Sequence, residues 1–173
     1  STAWRWKLLP PNPPPTKGVI TRTCRYNRAN FWPSDPAETP RTTQDMVSDL
    51  HTMLVNAQIP GPYVFVGHSI ASWIVILYAD QYPEEVAGIV LLDPTHSDYG
   101  LRMVEVLPTQ SPDDSPAEIG FRNNMINWYE SDENDPEGWD LYTSAEQVRA
   151  VTSLGDIPLT VLTASTGFFV SSP

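Results

Sequence analysis

Cysteine is nearly missing from this chain. The single residue, Cys24, excludes an intrachain disulfide. Basic side chains are scarce as well: ten Lys and Arg stand against 21 Asp and Glu, a formal net charge of −11. A surface of that sign repels phosphate, which argues against nucleic acid and anionic membranes as partners. Long apolar runs are lacking. The longest, Ile70 to Ala79, is about half of the roughly 20 residues that a membrane helix needs, so no membrane span is expected and the run reads as a core helix. The opening residues, "STAWRWKLLPPNPPP", lack the apolar segment of a signal peptide. There are no internal repeats, and the only low-complexity tract is the group of prolines from Pro10 to Pro15. Histidine occurs three times, as His51, His68 and His96.

What is present suits one globular domain: 173 residues, of which 40% are hydrophobic. Residues 1–18 form a proline-rich opening segment, irregular or extended because proline fixes φ and lacks an N–H. "GVITRTCRY" (18–26) predicts a strand from its β-branched, partly alternating pattern. "TTQDMVSDLHTMLVNAQ" (42–58) predicts a helix. Thr42 or Thr43 caps it, Asp45 sits in its first turn, and Met46, Leu50, Met53 and Leu54 share one face. "YVFV" (63–66) and "VAGIVLLD" (86–93) are short apolar strands, the pattern of a parallel sheet covered on both faces. Between them, "IASWIVILYADQY" is an apolar helix closed by Pro83. Residues 97–153 hold twelve acidic side chains against three Arg, with helical pieces near 116–130 and 144–152. They read as a cap inserted between two strands, the second of which is "IPLTVLTA" (157–164). The fold class expected is therefore α/β, a mostly parallel sheet with flanking helices and an acidic helical cap.

The stretch "VFVGHSIASWIV" (64–75) carries the chemistry. Gly67-His68-Ser69-Ile70-Ala71 follows the pattern G-x-S-x-G with alanine in the last place, and it has a strand before it and a helix after. A serine nucleophile has to stand clear of the sheet on a tight, strained turn. Small residues two before and two after, Gly67 and Ala71, let strand and helix close up. The Ile70 N–H then faces a developing oxyanion, and the helix N-terminus adds partial positive charge. The bland alternative is a small-residue turn with an idle serine.

From Thr21 to about Asp98 the chain resembles the α/β-hydrolase superfamily, especially its esterase- and lipase-like members. The stretches that carry the likeness are "TRTCRYNRANFWPSDP", "DLHTMLVNAQIPGPYVFVGHSIAS", "YPEEVAGIVLLDPTH" and, more weakly, "IPLTVLTAS". Asn27 and Asn30 stand where this family usually has aspartate and glycine, and Ser72 replaces the second glycine after the nucleophile turn. The resemblance implies that Ser69 is the nucleophile and Ile70 the oxyanion donor. It implies Asp93 as the acid, since some members place theirs after this strand and "TASTGFF" after the next one offers no carboxylate. Asp93 could also serve only as a turn residue before Pro94. His68 occupies a position that shapes the site in this family without acting as base. His96, three residues past Asp93, is a weak candidate for the base, and His51 reads as a packing residue. The family's usual base lies on a loop after the eighth strand, and its second oxyanion donor on a Gly-rich loop before the first matched segment. Neither has a counterpart here, so the resemblance is to a hydrolase fold truncated at both ends.

Two functions follow. One is a serine hydrolase acting on small-molecule carboxylic esters, with no cofactor. The other is a truncated or degenerate hydrolase-like domain without turnover. A metal site at His96 and Asp98 has no recognised ligand spacing. Exposed sheet edges predict self-association. Trp128, Tyr129, Trp139 and Tyr142 are aromatics of the cap that line an apolar pocket or, more commonly, fill a core.

Overall fold

The computed structural model describes residues 8–9, 23–130 and 135–164. Apart from Leu8 and Leu9, the proline-rich opening segment lies outside them. The chain forms two units, residues 1–41 with 131–139, and residues 42–130 with 140–173.

In the first unit β1 (Leu8–Leu9) pairs antiparallel with β2 (Arg25–Tyr26). The strand expected over 18–26 is thus seen only at its end; Thr23 and Cys24 are not in it, and residues 18–22 lie outside the described set. The loop after β2 is held by its own side chains. Asn27 Nδ2 donates to Trp32 O (2.6 Å), Ser34 Oγ to Asn27 O (2.5 Å), and Ala37 N to Asn30 Oδ1 (2.6 Å). Asn30 has φ 70°, which accounts for the residue type: after glycine, asparagine accepts the left-handed region best. Arg28 grips Glu137 through two N–H donors, and its guanidinium lies 5.6 Å from the Trp139 ring. Trp139 is buried here, so it fills this core. Gly138 (φ +54°) leaves no room for a Cβ, which would come within 2.6 Å of Thr39 Cβ.

The second unit begins with α1 (Thr43–Asn56). Thr42 and Asp45 make a reciprocal cap: the Thr42 hydroxyl accepts from Asp45 N, and the Asp45 carboxylate accepts from Thr42 N at 2.8 Å. Met46, Leu50, Met53 and Leu54 are buried, as their spacing predicts. β3 (Tyr63–His68), β4 (Val86–Leu92) and β5 (Leu159–Leu162) form a parallel sheet in that order. β3 runs two residues beyond the expected "YVFV", because Gly67 and His68 still pair with Leu91 and Leu92. α2 (Ala71–Gln81) makes the crossover from β3 to β4, followed by a short 3-10 turn, Pro83–Glu85. Trp73, Ile74, Val75, Leu77, Tyr78 and Ala79 of α2 are all buried, so the helix is enclosed on several sides. Among the described residues three helices lie between β4 and β5: α3 (Tyr99–Val106), α4 (Pro116–Ile126) and α5 (Leu141–Arg149). α3 was not expected, and α5 starts earlier than the sequence pattern suggests because Asp140 caps it, accepting from Thr143 N at 2.9 Å. α5 also ties to α1: Thr43 N donates to Ser144 Oγ (2.8 Å) and Gln44 N to Gln147 Oε1 (3.0 Å).

One expectation needs correcting. The sheet is not covered on both faces among the described residues. The parallel register puts Phe65, Ile89 and Leu159 on one face and Val66, Val90 and Thr160 on the other. α2 lies on the Phe65 face, where Phe65 meets Tyr78 edge-on at 4.8 Å. On the opposite face Val64 and Val66 are 64% and 62% exposed. An unbroken apolar run records that a strand can be covered on both sides; it does not supply the second layer.

A hydroxyl inside this unit has no partner. Ser72 is fully buried and its Oγ makes no hydrogen bond. Ser72→Ala is expected to stabilise the fold by about 1 kcal/mol, since it removes an unpaired buried donor and improves helix propensity. Urea denaturation checks this. A lower midpoint for the variant would mean that the hydroxyl is satisfied.

Candidate active site

The stretch from Gly67 to Ala71 joins β3 to α2 with only Ser69 and Ile70 between the two elements. So short a link forces an abrupt change of direction, and the backbone records it. Ser69 has φ 52°, the left-handed region in which a serine is strained, while Ile70 is already right-handed helical at φ −65°. The neighbouring small residues explain how the turn fits. A Cβ on Gly67 would lie 3.1 Å from both Ser72 Cα and Val75 Cγ2, so any side chain there would push helix from strand.

The next strand ends alike. His68 pairs with Leu92 in the sheet, so Ser69 and Asp93 leave the same carboxyl edge one residue later. Ser69 N donates to Leu92 O (3.0 Å) and Asp93 N to Leu162 O (2.7 Å). Asp93, too, has positive φ, at 44°. Two non-glycine residues are therefore held in the left-handed region on adjacent strands of one sheet edge.

Thr95 was not singled out from the sequence, yet it meets Ser69 through both its backbone and its side chain. The two hydroxyl oxygens are 3.3 Å apart, and Thr95 N donates to Ser69 O at 3.2 Å. Thr95 O in turn accepts from the indole N–H of the buried Trp73 (2.7 Å). Nothing in the spacing marks Thr95 as a partner, because the pairing spans a whole crossover.

The histidines differ in their surroundings. His68, last in β3, is exposed. His96 is exposed too, and its Nδ1 accepts from Asp98 N at 3.0 Å. His51 stacks on Tyr82 with ring centroids 4.1 Å apart and lies 3.3 Å from Glu85. Among the described residues none of the three imidazoles is hydrogen-bonded to Ser69 or Asp93, and no group of three or more His, Cys, Asp or Glu could hold a metal ion. Of the cap aromatics, Trp128 packs on Gly100 and meets Tyr99 edge-on at 4.8 Å, while Tyr129 donates to Ser97 O at 2.7 Å and Tyr142 is exposed.

Just beyond Thr95, Asp98 is faced by Arg149 at 2.6 Å, Arg102 at 3.6 Å and His96 at 3.7 Å. The hydrogen bond from Arg149 holds its carboxyl below the usual aspartate range. A carboxylate whose folded pKa is depressed contributes its stabilisation above the unfolded value, about 3.9, and loses it as pH falls through the folded value. The Asp98–Arg149 contact is thus expected to be intact at neutral pH and to release below about pH 4. An NMR acid titration of the Arg149 Nε–H signal checks this; an identical titration in Asp98→Asn would show the wrong carboxylate had been named.

The chain is similar to known proteins of one fold family. A family model described as "alpha/beta hydrolase fold" matches residues 6–116. The lipase LipV of Mycobacterium tuberculosis is 37% identical over 100 residues, covering 56% of this chain and 38% of that protein. The uncharacterised protein YqjL of Bacillus subtilis is 32% identical over 93 residues, covering 54% of this chain and 35% of that one. The chain thus spans little more than a third of the length of these curated relatives. The crystal structure of the Lip1 protein of Acinetobacter baumannii superposes with a TM-score of 0.49 at 16% identity, covering 78% of this chain and 54% of that one. Among the described residues no helix is long and apolar enough to cross a membrane.

Proposed function

We infer that this chain, which belongs to the α/β-hydrolase fold family, carries the nucleophile of a serine hydrolase acting on small-molecule carboxylic esters. The observation behind this reading is the left-handed Ser69 between a parallel strand and a buried helix. Strain of that kind persists only where the surroundings over-determine it, and it concentrates at sites that use it. In the reaction, Ser69 Oγ attacks the ester carbonyl carbon and forms a C–O bond while its proton passes to a base. The Ile70 N–H stabilises the oxyanion. Collapse of the tetrahedral adduct breaks the bond to the alkoxy oxygen, which leaves as the alcohol. Water then releases the acid from the acyl-serine. Asp93, leaving the sheet beside Ser69, is the acid that would orient the base. Among the residues of this chain, His96 is the weak candidate for that base.

The second reading, a hydrolase-like domain without turnover, draws on the neighbours of Ser69. Its hydroxyl contacts Thr95 rather than an imidazole, and a serine without a base is a poor nucleophile at neutral pH. A fluorophosphonate probe separates the two. Labelling of Ser69 that disappears in Ser69→Ala supports the hydrolase, and a panel of p-nitrophenyl esters then gives the preferred acyl length. A folded sample that takes no label rejects the hydrolase reading in favour of the second.

A further inference from the structure

We propose that Arg149, at the end of α5, positions the Ser69 hydroxyl by anchoring the four-residue strap 95–98, whose Thr95 touches the nucleophile. This rests on the reading of Ser69 as nucleophile.

The strap is fastened at both ends. At its far end Arg149 Nε donates to Asp98 Oδ1 (2.6 Å) and Nη2 to Ser97 O (3.0 Å). Nη2 also reaches Tyr129 OH (3.3 Å), which itself donates to Ser97 O at 2.7 Å. The guanidinium carbon lies 6.0 Å from the Tyr129 ring centroid. One planar fork thus joins α5, the segment after α4 and the strap, a task that a lysine, as a point charge, cannot duplicate. Asp98 stands at the N-cap position of α3, yet its side chain caps no N–H of that helix. An aspartate there would ordinarily accept from the first turn; this one is turned to Arg149 instead.

At its near end the strap holds the nucleophile turn and its supporting helix. Thr95 N is bonded to Ser69 O, Thr95 O to the Trp73 indole, and Thr95 Oγ1 lies 3.3 Å from Ser69 Oγ. The hydroxyl contact selects one orientation of Ser69 Oγ, and it does so only while Thr95 stays in place. Position matters steeply in acyl transfer: misplacement by about 1 Å costs roughly a hundredfold in rate. Arg149 is therefore a positioning residue, acting through Thr95.

The test compares the full chain with Arg149→Met, Arg149→Lys and Asp98→Asn. Asp98→Asn keeps the side-chain shape should Arg149→Met fold poorly. The first readout is the fluorophosphonate inactivation rate resolved into its maximal rate and half-saturating concentration. The second is hydrogen exchange of the Thr95 amide and the Trp73 indole N–H. In Arg149→Met the maximal inactivation rate is expected to fall about ten- to a hundredfold at unchanged half-saturation, with faster exchange at both N–H groups; Arg149→Lys recovers part of each. Unaltered exchange at Thr95 and Trp73 in Arg149→Met and Asp98→Asn would overturn the proposal, as would a fall in affinity alone. Should the parent chain take no label, the nucleophile reading is rejected, and the exchange measurement still decides by itself whether Arg149 holds Thr95 on Ser69.

Discussion

Ser69→Gly is expected to be about 1 kcal/mol more stable than Ser69→Ala, with neither variant acylated. The two differ chiefly in their tolerance of the backbone at this position, where φ is 52°. A residue with a Cβ carries a penalty of about 1–2 kcal/mol in the left-handed region, whereas glycine carries almost none. Glycine's greater freedom in the unfolded chain takes back part of the gain, which leaves the difference near 1 kcal/mol. Both variants lack the oxygen that would form the acyl bond, so covalent labelling should vanish completely. Ester turnover should then fall to the residue that substrate binding and N–H donors provide alone. Paired urea melts with fluorophosphonate labelling measure both halves. An alanine variant as stable as the glycine variant would mean that the turn is unstrained, and the argument for a purpose-built serine position would go with it.

The largest loss of stability is expected at Trp73. Its side chain is fully buried in α2, and its indole N–H is committed to Thr95 O at 2.7 Å. Trp73→Ala removes the most voluminous fully buried side chain among the described residues and leaves a cavity, at a cost of about 3–5 kcal/mol. Domains of this size are stable by only about 5–15 kcal/mol, so the variant should be largely unfolded or melt far earlier. Trp73→Phe is the more informative change. It keeps an aromatic body but leaves the Thr95 carbonyl without its donor, which costs about 1–3 kcal/mol. Because that carbonyl belongs to the strap over Ser69, Trp73→Phe should slow labelling of Ser69 more than its melting temperature alone implies. A Phe variant that loses stability yet labels at the parent rate would show that the indole supports the core only.

Most of what could be read beforehand was local. The cap of α1 is visible as Thr42 followed three residues later by Asp45, and its buried face as a repeat of apolar residues, because both arise within a few turns of helix. Ser69 is legible for the same reason: Gly67 and Ala71 flank it within one turn, between an apolar strand and an apolar helix. α3 escaped notice because its start carries no side-chain cap, Asp98 having turned away to Arg149. The last residues of β3 escaped because Gly67 and His68 have little strand propensity and are held by pairing with β4.

By itself the order of residues determined the α/β class, the boundaries of α1 and α2 to within a residue or two, and the strained position of Ser69, since each depends on neighbours along the chain. Only the tertiary structure decided which hydroxyl meets Ser69, which cation restrains the strap beside it, and that Val64 and Val66 face no second layer among the described residues. Thr95 reaches Ser69 across 26 positions and Arg149 reaches Asp98 across 51. Separations of that size are closed by sheet register and helix packing, and neither is written in the spacing of the residues concerned.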